Sequence, residues 1–148
     1  MDLKEQLIQS STNILPQFGL RTEFQGAIEE NQLSSANQVN ILIGFSGGLT
    51  GNMVVGFKKT TAFKVISTMM GGVDVTALDV IGSSAIGEIT TMIAGNAMAG
   101  MEAKTPIIFS PPTIVTGERI FLIISRLKAN KLTFRLGDDL FNISFCLE

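Results

Sequence analysis

Glu88 is the residue of this chain whose type and setting best suit chemistry. It is the only acidic residue between Asp79 and Glu102. On a helix, at about 100° per residue, Ser84 and Thr91 would share its face. A carboxylate that rises from a face of small side chains can reach into the site of a partner. We therefore place the candidate functional site on this face.

The stretch from Thr76 to Gly100 predicts the long helix that must position this carboxylate. Its apolar pattern predicts a core stripe, in which the asparagine is a buried amide: Leu78, Ile81, Ala85, Ile89, Met92, Ile93 and Asn96. A second face, about a quarter turn away, is made almost entirely of small residues: Val80, Ser84, Gly87, Glu88, Thr91, Gly95 and Met98. A glycine inside a helix costs about 1 kcal/mol relative to alanine, so we expect these glycines to let a partner's backbone approach. The predicted partner-binding residues are Ser84, Gly87, Glu88 and Gly95.

Composition excludes several kinds of catalytic site. With no histidine and one cysteine, the chain cannot build a histidine-based triad, a Cys/His pair or a zinc site of the usual nitrogen and sulfur ligands. The sequence contains neither a P-loop nor a GxGxxG motif followed by a helix. The glycines of residues 44–56 are therefore expected within strands and not as a phosphate-binding loop.

Length and charge limit the class of protein further. A chain of 148 residues fits a single domain spanning 1–148. Its net charge of −2 and scattered basic residues form no surface suited to nucleic acid. No run approaches the roughly 18 apolar residues of a membrane span, and the N-terminus lacks a secretory pattern, so we expect the cytoplasm. The hydrophobic content of 45% indicates apolar surface buried elsewhere, for which a subunit interface is the natural place.

Hydrophobic periodicity predicts an α+β fold of about six mainly antiparallel strands with three helices. The polar segment 31–38 is expected to be a loop or a ragged edge, and Thr60 or Thr61 is expected to cap the second helix. The predicted helices cover 2–15, 61–70 and 76–100. The segments with strand character are 21–29, 39–45, 52–57, 105–109, 113–115, 119–128, 131–136 and 140–147, the last three forming a meander.

The long helix resembles the signature helix of the CheC/CheX/FliY family of bacterial chemotaxis phosphatases, and it is most similar to the single-module CheX branch. In that family a Ser or Asp is followed four residues later by Glu and three residues after that by Asn, before a Gly-Asn pair. The corresponding residues here are Ser84, Glu88, Thr91, Gly95 and Asn96. The stretch from Gly44 to Phe57 resembles the family's glycine-rich strand pair, so the resemblance covers most of the chain.

The resemblance implies an activity and a partner. Family members bind the phosphorylated response regulator CheY, where the acid pairs with an invariant lysine and the Asn amide orients the water that attacks the aspartyl phosphate. Glu88 and Thr91 would occupy these two catalytic positions. Such a phosphatase needs no cofactor of its own, because the regulator holds the Mg²⁺. The family also implies homodimers that join their sheets edge to edge.

Thr91 is the position at which this chain departs from the family, which has the catalytic Asn there. A threonine hydroxyl has a shorter reach than an amide and can bond back to the carbonyl of the preceding helical turn. Asn96 lies about 80° further round a regular helix and is expected to be no substitute. The hydroxyl of Ser84 can steer the carboxylate or bond to its own backbone.

Three hypotheses from different classes remain open. The chain can be an aspartyl-phosphate phosphatase that is slowed by Thr91. It can be a docking module that binds the regulator without turnover. It can also be a dimeric structural component of a chemotaxis or flagellar assembly.

Overall fold

The computed structural model describes residues 2–148, which form three helices and nine strands. In chain order they are α1 (Leu3–Gln17), β1 (Thr22–Glu30), β2 (Leu33–Ser35), β3 (Val39–Gly47), β4 (Gly51–Phe57), α2 (Lys59–Met69), α3 (Val80–Ala99), β5 (Ile107–Phe109), β6 (Thr113–Thr116), β7 (Leu122–Ser125), β8 (Ala129–Leu136) and β9 (Asp139–Leu147). The predicted α+β class and the three helices are confirmed.

Seven of the strands form one antiparallel sheet in the order β1-β8-β9-β4-β3, with β5 and β6 both pairing along the outer side of β3. The predicted hairpin of β3 and β4 is present, and both strands are interior to the sheet. The hairpin of β8 and β9 is also present, and Gly137 at its turn has the positive φ of 63° that favours glycine.

The three helices cover one face of this sheet and enclose the main core. Strand side chains alternate between the two faces, so Ile41 and Ile43 of β3 point to the helices and are at most 1% exposed. Phe134 and Phe141 stack in this core with ring centroids 5.1 Å apart. A second, smaller cluster on the opposite face contains Leu33, Val54, Ala129 and Cys146.

The strands β2 and β7 form a separate two-stranded ribbon, which corrects two predictions. The segment 31–38, expected to be a loop or a ragged edge, contributes the three-residue β2. The segment 119–128 does not join the C-terminal meander, because its strand β7 pairs with β2 through contacts such as Ser34 with Ile123. This pairing joins segments far apart in the chain, which is why local patterns did not reveal it. The main sheet, expected to contain about six strands, contains seven, and the ribbon adds two more.

The N-termini of α3 and α2 are capped by different hydrogen-bond acceptors. The Asp79 carboxylate accepts a hydrogen bond from the N–H of Gly82 at 2.7 Å and caps α3. The predicted threonine cap of α2 is wrong, since Lys58 is the capping position and Thr61 is fully buried inside the helix. The N–H of Lys59 instead donates to the side-chain oxygen of Gln38 at 2.9 Å. Among the helices of residues 2–148, including the 20-residue α3, none combines the length and the apolar character that crossing a membrane requires.

Candidate functional site

The helix α3 has one buried face and one open face. The buried face packs toward α1, α2 and the sheet and comprises Gly82, Ile86, Gly87, Ile89, Thr90, Ile93, Ala94, Ala97 and Met98. The open face comprises the exposed residues Val80, Ile81, Ser84, Glu88, Thr91, Met92, Asn96 and Ala99, with Gly95 half-buried among them. We use "open face" for this set below.

The predicted core stripe of α3 is confirmed for Ile89 and Ile93, which are at most 2% exposed, and wrong for three other residues. Ile81, Met92 and Asn96 were expected in the core, but all three are exposed. The centre of the buried face lies about 100° further round the helix than predicted. The reason is that small residues bring α3 close to its neighbours: Ala94 and Ala97 are fully buried. The hydroxyl of Ser10 in α1 also donates to the carbonyl oxygen of Ile93 at 2.7 Å.

Glu88 lies at the middle of the open face. Within residues 2–148, its carboxylate takes part in none of the ion pairs or side-chain hydrogen bonds of the fold. Ser84 is exposed one turn before it, and its hydroxyl bonds neither the carboxylate nor the backbone within the same residues. The carboxylate is therefore free to accept from a cation of another molecule.

Thr91 is exposed at one edge of the open face, about 60° round the helix from Glu88. Its hydroxyl donates to the carbonyl oxygen of Gly87 at 2.9 Å, so the predicted bond to the preceding turn is confirmed. Because this bond uses the only hydroxyl proton, the outward side of the oxygen can only accept. Thr91 thus presents a fixed hydrogen-bond acceptor close to the helix surface.

The two glycines predicted to contact a partner have different surroundings. Gly87 is buried, and a Cβ at this position would lie 3.3 Å from Cγ of Pro112. Gly87 therefore does not lie on the open face, where it was expected, and its small size serves internal packing. Gly95 meets the prediction of open space, because a Cβ there would have no atom of the described chain within 4 Å.

A groove of about 490 Å³ runs beside the C-terminal half of α3. Gly95 and Ala99 form the helix side, and residues 103–107 form the opposite side. No cluster of Asp, Glu or Cys side chains within residues 2–148 is arranged to hold a metal ion. The site therefore consists of one free carboxylate, one fixed acceptor and open space beside them.

Sequence reasoning assigned three residues of the open face to the core, namely Ile81, Met92 and Asn96. A signal for two of them was available, because a carboxylate without a local partner marks the solvent side of a helix. Ile81 and Met92 lie within about 40° of Glu88 and so must share that side. Asn96 lies at the edge opposite Thr91, and no simple pattern distinguishes such an edge residue from a buried one.

Comparison with known proteins gives this site its context. The family model described as chemotaxis phosphatase CheX matches residues 39–135. The CheY-P phosphatase CheX of Thermotoga maritima is 40% identical over 77 residues, which are 51% of this chain and 50% of that protein. The alignment thus spans about half the length of that relative.

Solved structures show the same fold at low identity. The chemotaxis protein CheX from Desulfovibrio desulfuricans has a TM-score of 0.86 at 22% identity, with 100% of both chains covered. The CheX-CheY-BeF3-Mg²⁺ complex from Borrelia burgdorferi gives a TM-score of 0.75 at 16% identity, covering 99% of this chain and 98% of that chain. Since the family model matches well over half of the chain and contains α3 with Glu88 and Thr91, the chain belongs to the CheX family of chemotaxis phosphatases.

Proposed function

We propose that this protein binds a phosphorylated CheY-type response regulator through the open face of α3 and promotes hydrolysis of its aspartyl phosphate. The observation that carries the proposal is the free carboxylate of Glu88 at the centre of an exposed helix face within the family-matched segment. The relative in Thermotoga maritima bears the name CheY-P phosphatase, and a CheX-CheY complex is known from Borrelia burgdorferi. Both names support a CheY-type partner.

Glu88 would act as the anchor of the complex. Phosphoryl transfer has a loose transition state, so a catalyst contributes mainly by positioning and electrostatic stabilisation. An ion pair between Glu88 and the lysine that the family resemblance implies would fix α3 over the phosphorylated aspartate. We propose that the regulator supplies the Mg²⁺, as the family resemblance implies.

Thr91 would hold the attacking water. The water oxygen forms a bond to phosphorus while the bond from phosphorus to the aspartate oxygen breaks, which releases phosphate and the free carboxylate. A water in line for this attack must direct a lone pair at phosphorus and donate its protons elsewhere. The Thr91 hydroxyl oxygen can accept a hydrogen bond from one of them, because its own O–H is already donated to the carbonyl oxygen of Gly87. The shorter reach of threonine predicts a slow phosphatase.

A docking module without turnover is the second candidate, and Thr91 is the observation that favours it. If the hydroxyl oxygen lies too far from the water, the open face would still bind the regulator through Glu88.

We also propose that the protein works in the cytoplasm as a homodimer, as a hydrolase of a two-component chemotaxis pathway. The family match supports this assembly, as does β1, a nine-residue strand that within residues 2–148 pairs on one side only.

The test is release of phosphate from the phosphorylated regulator by the wild-type protein and by Glu88→Ala. We expect a weak acceleration by the wild type and loss of both binding and acceleration in the variant. Glu102→Ala is the matched control, because it removes an exposed carboxylate beyond the end of α3. Equal binding by the wild type and Glu88→Ala would refute docking through the open face.

A further inference from the structure

Two large apolar side chains lie on the open face in line with Glu88. Ile81 is 63% exposed and Met92 is 39% exposed. Round the helix they lie about 20° and 40° from Glu88. Along the helix axis, at about 1.5 Å per residue, Ile81 lies roughly 10 Å before the carboxylate and Met92 roughly 6 Å after it.

The fold makes little use of these two side chains. Their neighbours Ile86, Ile89 and Ile93 are at most 2% exposed and supply the apolar contacts between α3 and the core. Single exposed apolar residues are ordinary on protein surfaces. A row in which a free carboxylate stands between two such residues on one helix face is a more specific arrangement. It matches a partner surface that offers a cation between two apolar areas.

We propose that Ile81 and Met92 are the specificity-determining contacts of this protein for its response regulator. This inference rests on the function proposed above and adds the partner's chemistry to it. The cognate regulator carries a lysine for Glu88 and apolar surface on both sides of it, spread over roughly 16 Å along α3. A regulator with charged residues at either place would have to bury them unpaired against Ile81 or Met92, which disfavours binding.

The side chains suit the two ends of such a contact. Ile81 is β-branched and stiff, so it loses little side-chain freedom on binding. Met92 is flexible and polarisable, and it can adapt to the surface next to the phosphorylated aspartate. Neither side chain has a polar group that could hold the attacking water. They should therefore strengthen binding of the ground state and the transition state equally.

The experiment measures the dissociation constant of the phosphorylated regulator for the wild type, Ile81→Ala, Met92→Ala and the double variant. We expect each single change to raise Kd by about 10-fold, which corresponds to about 1.4 kcal/mol. In turnover assays KM should rise by the same factor while kcat is unchanged, since uniform binding is lost. Met92→Leu should retain most of the affinity.

Ile108→Ala is the matched control, because Ile108 is also 63% exposed but points to the sheet face opposite the helices. All variants alter exposed side chains, so their melting temperatures should match that of the wild type. Unchanged Kd values for Ile81→Ala and Met92→Ala, with weaker binding by Glu88→Ala, would overturn this inference and leave the proposed function intact. A wild type that binds no regulator would overturn both.

Discussion

Thr91 and Glu88 lie on the same exposed side of α3. The hydroxyl of Thr91 donates its hydrogen bond to the carbonyl oxygen of Gly87. The oxygen is therefore oriented for accepting from water, whereas its reach is limited by the short side chain. An asparagine at the same place would project its amide further. The difference between the two residues is thus one of distance, and it can be tested directly.

We predict that Thr91→Asn raises the rate of dephosphorylation by roughly 10- to 1000-fold, the usual scale for one positioning group. The carboxylate of Glu88, proposed above to dock the regulator, is unchanged, so affinity should hold. The stability cost should be small, since Thr91 is exposed and asparagine has a similar helix propensity. Single-turnover decay of the phosphorylated regulator measures the rate.

Thr91→Val is the control for this prediction. Valine has nearly the shape of threonine but offers no acceptor, so the residual activity of the wild type should disappear. If Thr91→Asn binds normally and gains no rate, the docking-module hypothesis is favoured. If Thr91→Val stays as active as the wild type, another residue holds the water.

At Gly95, an added side chain should stabilise the helix, whereas a bulky side chain should weaken regulator binding. An added Cβ meets no atom of the described chain within 4 Å, so Gly95→Ala should stabilise the fold by up to about 1 kcal/mol. Gly95→Leu should also fold, but the bulk of leucine at the groove should weaken regulator binding. Urea unfolding and a binding titration measure the two effects. Full affinity in Gly95→Leu would show that the partner does not approach this part of α3.

Gly87 behaves differently because it is buried against Pro112 and Ile114. We predict that Gly87→Leu destabilises the protein by about 1 to 3 kcal/mol, as overpacking usually does. Any loss of binding in this variant would follow from damage to the fold. A urea midpoint equal to that of the wild type would contradict the packing role.

At the scale of elements, α3 keeps its position through its first turn and its buried face. The cap by Asp79 satisfies the N–H of Gly82, and the hydroxyl of Ser10 holds the carbonyl of Ile93. The open face can be rich in exposed groups because the other face is fully packed. The element therefore presents Glu88 from a rigid support, which positional catalysis requires.

We predict that Asp79→Ala lowers the free energy of unfolding by about 1 kcal/mol, the usual value for loss of an N-cap. Asp74→Ala is the control, since Asp74 is an exposed carboxylate in the segment that precedes α3. The urea midpoint measures both. Because the cap lies at the end of α3 that is distant from Thr91, kcat should change little. An equal loss in the two variants would rule out the cap as the cause.

At the scale of the whole molecule, the two edges of the large sheet differ. Within residues 2–148, the nine-residue β1 pairs on one side only, with β8. The opposite edge is divided into the short strands β5 and β6, with Pro111 and Pro112 between them. Proline disfavours strand addition, so β1 is the edge open to another copy of the chain.

We predict a homodimer at micromolar concentration that joins two sheets through β1. Ile28 of β1 is 59% exposed, and Ile28→Lys should shift the protein to monomers because it places a charge at the edge. Ile108→Lys, at the opposite edge, should leave the dimer intact. Light scattering measures the mass. A monomeric wild type would disprove the dimer, and dissociation by Ile108→Lys alone would place it at the other edge.

The sequence by itself determined the α+β class, the three helices, the β3-β4 hairpin and the position of the candidate carboxylate, Glu88, on α3. These features depend on neighbours within a few residues, since turns, caps and helical faces are set by local spacing. The same spacing placed Glu88, Ser84 and Thr91 on one exposed face. The resemblance to the family then identified Thr91 as the departure from its pattern.

Only the tertiary structure decided which side of α3 is buried. The helix is apolar or small nearly all round, so two faces were almost equally suitable by local pattern. The choice came from distant groups: Ser10 of α1 on one side and Pro112 over Gly87 on another. The pairing of β2 with β7 and the cap of α2 by Gln38 likewise join segments that are separate in the chain. Packing between distant segments therefore exposed Ile81 and Met92, which local periodicity had assigned to the core.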